Sequence, residues 1–157
     1  MNNLEAIICH AEELCRDRGT RLTTKRKTVL SGLIHSQKAL SAYELIDICK
    51  QEFGTTIPAT SVYRILEFLE SEQLVHKLNI SNKYVACSHI TCSHEHGTPQ
   101  FLICNCCNKV KEINVSKSAI GELQESAKQV GFQIMSPQIE MNCICKECTA
   151  EEQEYNS

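Results

Sequence analysis

Cys104 and Cys107 form one C-x-x-C pair, in the stretch FLICNCCNKVKE, and Cys145 and Cys148 form another further along the chain. A C-x-x-C turn lets two thiolates converge on one ion about 2.3 Å away, and two such turns supply the four sulfurs of a closed, tetrahedral structural zinc site. Cys106 and Cys143 fall at C-x-C spacing to these ligands, which suits a single tetrahedral ion less well, so they are read as thiols outside the coordination set. A redox role for a lone C-x-x-C requires a thioredoxin-like βαβ context, and neither pair sits in one.

A second group of donors stands outside the pairs: His76, Cys87, His89, Cys92, His94, His96 and Glu112. Singly, each reads as an ordinary surface residue. Together they are concentrated in three stretches of chain that could meet, and one thiolate with imidazoles and a carboxylate suits zinc. A metal held by groups from both halves of the chain fixes the angle between them, which a metal held within one half cannot do. Such a site is a switch.

Eleven cysteines among 157 residues is a high count for a chain whose start, MNNLEAIICHAEELCRDRG, lacks the basic and apolar blocks of a secretory signal. No apolar run reaches the roughly 18 residues that span a bilayer. These features predict a cytoplasmic protein, in which clustered cysteines bind metal more often than they form disulfides. The net charge is -3, yet Arg21 to Arg64 holds seven basic residues against three acidic ones. A local basic face of this kind is what a DNA-binding module needs.

The elements that must position these groups follow from periodicity and capping. Leu4, Ile7, Ile8, Ala11, Leu14 and Cys15 recur at helical spacing, which predicts a helix over 3–17. Thr23 or Thr24 caps a second helix carrying Val29, Leu30, Leu33 and Ile34. Ser41 caps a third, SAYELIDICKQEF, with Glu44 completing a capping box and Gly54 ending it. TTIPAT favours extended chain, and TSVYRILEFLESEQ then places Val62, Ile65, Leu66 and Leu69 on one helical face. LVHKLNI and KYVAC, separated by the turn signal SN, form a hairpin. This order is that of a winged helix-turn-helix, in which Cys9, Cys15 and Cys49 are read as small buried hydrophobes. CSHITCSHEHGTPQ reads as a linker. Beyond it the pattern predicts a strand (FLIC), a turn, a strand (VKEINV), a helix from about Ser116 to Val130 closed by Gly131, a strand (FQIMSPQIEM) and a frayed tail. A unit of roughly 55 residues with few large apolar side chains is too small to hold together without a metal, a disulfide or a partner subunit.

RLTTKRKTVL, SAYELIDICK, PATSVYRILEFLESEQLVHKLNISNKYVAC, FLICNCCNKVKE and GFQIMSPQIEMNCICKEC, in that order, resemble the ferric uptake regulator family, and within it the zinc uptake regulator branch. The resemblance implies an α+β homodimeric repressor that, when zinc-loaded, binds palindromic double-stranded operators of zinc-acquisition genes. It also implies an organisation: a winged-helix DNA-binding domain over 1–86, a hinge with metal ligands over 87–100, a dimerisation domain with structural zinc over 101–150, and a flexible tail over 151–157. The family's structural zinc falls on Cys104, Cys107, Cys145 and Cys148. Its regulatory zinc falls on His76, Cys87, His96 and Glu112, so two zinc ions per monomer are expected. Relatives place the histidine seven residues before the first cysteine of the pair, where this chain has Gly97. His96 is the nearest, with His94 and then His89 behind it. Lys25, Arg26 and Lys27 are expected on DNA phosphates, and Tyr43 and Arg64 on bases.

Ser136, Ala39 and Leu40 stand where iron, manganese or peroxide sensors of the family use histidines, which disfavours those relatives. Two other readings are kept: a redox sensor of the same fold using Cys106 or Cys143, and, remotely, a zinc enzyme or zinc-storage protein. A catalytic zinc keeps an open coordination position, whereas four ligands are available here for each site.

Overall fold

The apolar stripe at the start of the chain forms α1 (Asn3–Asp17), which buries Ala11 and Cys15. Cys9 lies on the other side of this helix, away from Ala11, and is exposed rather than buried as the periodicity suggested. The next helix, α2 (Thr24–Ser36), is capped by Thr23, whose hydroxyl accepts from the Arg26 amide. The third, α3 (Ala42–Phe53), has the expected reciprocal box: Ser41 Oγ accepts from the Glu44 amide at 3.2 Å, and the Ser41 amide donates to Glu44 Oε1 at 3.1 Å. Gly54 ends it in the left-handed region at φ 62°, a conformation that favours glycine.

Pro58 precedes α4 (Ala59–Ser71), which turns Val62, Ile65, Leu66 and Leu69 inward. An antiparallel hairpin follows, β1 (Val75–Leu78) with β2 (Lys83–Ala86). A bridge between Leu40 and Tyr84 fastens it to the segment before α3. The core collects Leu30 and Leu33 from α2, Leu45 and Cys49 from α3, Leu66 and Leu69 from α4, and Ile57 and Leu74 from the connections. At Gly32 an added methyl group would lie 3.4 Å from the Leu45 side chain, in contact with α3, which marks a close approach of α2 and α3 there.

The computed structural model describes residues 3–88, 90, 100–135 and 138–155, the last five of them by backbone. The chain divides into two compact units, Met1–His94 and Glu95–Ser157. The second contains β3 (Gln100–Cys104), β4 (Val110–Ile113), α5 (Lys117–Gln129), β5 (Ile139–Cys143) and α6 (Lys146–Tyr155). Its sheet runs β4-β3-β5, with β3 antiparallel to β4 and parallel to β5. Ser116 caps α5 as its sequence suggests, accepting from the Ala119 amide, and Gly131 turns the chain out of it at φ 85°.

Two elements differ from the sequence reading. The last strand begins at Ile139 rather than Phe132, and pairs with Gln100–Cys104 of β3. Phe132 and Met135 are instead exposed, at 71% and 87%. The segment read as a frayed tail also continues α6 to Tyr155. The Thr149 amide bonds to the Cys145 carbonyl in the first turn, and Ala and Glu residues propagate a helix well. Among the described residues no helix is long and apolar enough to cross a membrane.

Replacing Ser41 by alanine removes the acceptor for the Glu44 amide, and is expected to cost about 1 kcal/mol. A urea unfolding series should show a lowered midpoint with an unchanged slope, and Ser41→Thr, which keeps the hydroxyl acceptor, should recover most of the loss.

Candidate metal centre

Parallel pairing of β3 with β5 places Cys104 opposite Cys143, so the two strands deliver the chain to the same end of the sheet. The Asn105 amide donates to the Cys143 carbonyl at 2.9 Å, extending the ladder one step past β3. The turn after β3 then closes on itself. The Asn108 amide donates to the Cys104 carbonyl, the Cys104 amide to the Lys109 carbonyl, and Asn108 takes φ 63°.

In this frame the sulfurs of Cys104, Cys107, Cys145 and Cys148 all lie within 4.8 Å of one another. Cys107 Sγ and Cys145 Sγ are 3.7 Å apart. A tetrahedron with metal–sulfur bonds of about 2.3 Å has edges of about 3.8 Å, so the spacing fits a four-thiolate ion. The electrostatics agree. The Cys145 amide donates to Cys104 Sγ at 3.3 Å and, with the Cys107 and Cys106 amides, holds the Cys104 thiol down at about 6. Hydrogen bonding to the Cys145 thiol, together with burial and the nearby Cys104, pushes Cys148 far up. Four sulfurs this close cannot all ionise without a cation, and a divalent ion removes that conflict.

Lys109 and Glu147, 3.1 Å apart, join the two cysteine turns from outside. Neither residue is singled out by sequence motifs, since each is an ordinary charged residue near a cysteine pair. Gln100 is a second such case. Its buried side chain accepts from the Ile139 amide at 2.7 Å and so fixes the start of β5. Cys106 is exposed and Cys143 is half-buried, with its Sγ 3.6 Å from the Met141 carbonyl. Neither belongs to the four-sulfur group.

In the first unit, His76 lies on β1 opposite Val85, and Cys87 follows β2 directly. The Cys87 amide donates to the Leu74 carbonyl at 2.9 Å, which continues the hairpin by one more step. This brings an imidazole nitrogen and the Cys87 sulfur within 4.8 Å of each other. Cys87 is buried and His76 half-buried. Glu112 stands on β4 of the second unit, opposite Phe101. His96 lies outside the described residues, as do His89, Cys92 and His94.

Of the residues expected at DNA, Tyr43 is 67% exposed near the start of α3, and Arg64 is exposed on α4. Lys25 is exposed as well. Arg26 has a different setting: its guanidinium sits 3.7 Å over the Phe68 ring and donates to the Arg21 carbonyl. Lys27 is paired with Glu12 at 2.9 Å.

Residues 17–142 match the model of the ferric uptake regulator family. The chain belongs to that family. It is 33% identical to the zinc uptake regulation protein of Escherichia coli K12 over 92% of this chain and 82% of that protein. A solved zinc uptake regulator complexed with zinc and DNA covers 98% of this chain and 99% of its own, with a TM-score of 0.83 and 29% identity. The structure of holo XcZur aligns over 92% of this chain and 98% of its own, at 34% identity and a TM-score of 0.75. The family is one of regulators rather than enzymes, and its fold is the α+β arrangement of a winged helix followed by a small α/β dimerisation domain.

Cys104→Ser is expected to remove one zinc per chain, measured by atomic emission, and to lower the melting temperature. Cys106→Ser should leave both quantities unchanged.

Proposed function

We propose that this chain is a zinc-responsive, homodimeric transcriptional repressor that binds palindromic operators of zinc-acquisition genes when zinc-loaded. The observation that carries this reading is the near-complete likeness to a zinc uptake regulator complexed with zinc and DNA. The chain's own chemistry supports it. Cys87 places a soft sulfur beside an imidazole, a donor pair that favours zinc over metals preferring oxygen.

Two zinc ions per monomer serve different ends in this reading. Cys104, Cys107, Cys145 and Cys148 hold a structural ion that ties the ends of β3 and β5. His76, Cys87, His96 and Glu112 hold the sensed one. When bound, zinc supplies a four-coordinate cross-link and no reaction. His76 and Cys87 contribute from the base of the hairpin, Glu112 from β4 and His96 from the segment between. Joining ligands from both units restricts the winged helices of a dimer to the separation that two half-sites demand, near one helical turn. Zinc can shift DNA affinity only by the difference in its own affinity for the two conformations, typically about 1–3 kcal/mol.

Dimerisation is supported by the surface of the second unit. Leu123, Val130, Phe132, Met135, Met141 and Ile144 are all large, apolar and exposed in the single chain. An apolar surface of this kind is what a second copy covers.

On the DNA side, the exposed Arg64 on α4 suits guanine recognition, worth about 1–3 kcal/mol of discrimination, and the exposed Tyr43 on α3 suits a second base contact. Lys25 suits a phosphate, and Arg26 and Lys27 complete the basic approach from α2. Arg26 also braces α2 against α4 through Phe68.

Titrating free zinc while measuring metal content and operator binding tests the whole reading. Two zinc ions per chain are expected, of which one tracks DNA binding. Glu112→Ala should weaken zinc-stimulated operator binding about 5- to 150-fold and leave the dimer intact in sedimentation. Unchanged zinc dependence would remove Glu112 from the site. Arg64→Ala should lower affinity for operator more than for unrelated DNA, whereas Lys25→Ala should weaken both alike and reduce the salt dependence.

A further inference from the structure

Glu72 is a carboxylate only 8% exposed at the end of α4, where burial of an unpaired charge is costly. Its partner lies 54 positions earlier in the sequence. Arg18, just past the end of α1, donates through Nη1 to the Glu72 backbone carbonyl and also lies 3.5 Å from its Oε2. A cation at the carboxyl end of α4 is favoured by the helix dipole as well as by the carboxylate.

The gripped residue begins the turn on which the His76–Cys87 pair is built. After Glu72, Gln73 takes the left-handed conformation at φ 60°. The Leu74 amide then reaches back to the Leu69 carbonyl at 2.9 Å, and the Leu74 carbonyl accepts from the Cys87 amide at 2.9 Å. Both ends of the hairpin are thereby referred to one short segment: His76 lies two residues beyond Leu74, and Cys87 is bonded to it directly. Arg18, just beyond α1, is the cation that grips the start of that segment.

We infer that Arg18 is a positioning residue for the regulatory metal site, its grip on Glu72 setting the turn from which His76 and Cys87 are presented. This rests on the reading of His76 and Cys87 as zinc ligands. Without Arg18 the buried carboxylate lacks compensation, which costs more than the pair contributes when intact. The turn then relaxes to hydrate Glu72, and the two donors lose their spacing.

The test uses full-length protein with the four-cysteine site loaded, in the variants Arg18→Ala, Arg18→Lys, Glu72→Gln and His76→Ala. Zinc affinity of the second site is measured by competition with a chromophoric chelator. Cobalt substitution reports the Cys87 thiolate–metal absorption, and urea unfolding reports stability. Arg18→Ala and Arg18→Lys are expected to weaken the second site by about tenfold, the lower range for residues that orient ligands, and to shift the cobalt spectrum. Glu72→Gln, which keeps the carbonyl contact and removes the charge, should fall between Arg18→Lys and the parent. Four-cysteine zinc content should stay constant throughout. If His76→Ala abolishes the second site while Arg18→Lys keeps parental affinity and spectrum, the positioning role is overturned. If Arg18→Lys lowers stability alone, with affinity and spectrum unmoved, it is overturned equally. If His76→Ala leaves the second site intact, the ligand assignment fails first, and the inference with it.

Discussion

Four thiols at the shared end of β3 and β5 are the constraint on which the second unit depends. Among its described residues the buried side chains are Gln100, Phe101, Ile103, Cys104 and Cys148, and α5 buries none. A core of that size cannot balance the entropy of ordering the chain. The cysteines supply what apolar area does not, provided their charge is neutralised by a cation. Their amides are already arranged for ionised sulfur, and their mutual repulsion rises as each proton leaves. A metal at the four cysteines would therefore be part of the fold, and the exposed apolar side chains of this unit offer a surface for a second copy.

The first unit is built on the opposite economy. Its helices share a continuous apolar core, and its capping box, glycine stop and wing bridge are satisfied within the unit. Nothing in this core calls for a metal, so under the proposed function a metal at its hairpin would be free to report concentration. The two sites differ accordingly: four sulfurs with mutual support in one, and a mixed pair of donors awaiting others in the second.

Helix starts and stops were legible because each depends on one or two neighbouring residues, as Thr23, Ser41, Gly54 and Ser116 show. The four-cysteine cluster was legible for a related reason, since C-x-x-C fixes two donors locally and two such turns leave little freedom. Strand extent was less so: FQIM has the composition of a strand, yet β5 begins at Ile139 because pairing depends on a partner far away in sequence. The α6 extension was hidden by polar composition, which suits a helix surface as well as a frayed end. Arg26 and Lys27 read as phosphate-binding cations, yet Phe68 and Glu12 meet them from other helices, and Arg18 joins Glu72 over 54 positions. Pairings at that separation leave no periodic trace.

The parallel pairing of β3 with β5 also bears on the order in which the protein is made. Cys107 leaves the ribosome 38 residues ahead of Cys145, and the antiparallel β3–β4 hairpin, being local, closes well before the crossover through α5 returns β5 to the sheet. During that interval the nascent chain displays a two-thiol claw with no counterpart. An ion caught there is held weakly, and any other thiol within reach competes for it. Completion of the site is thus tied to completion of the chain, so that a product truncated before β5 lacks the second pair of thiols and the grip they would add.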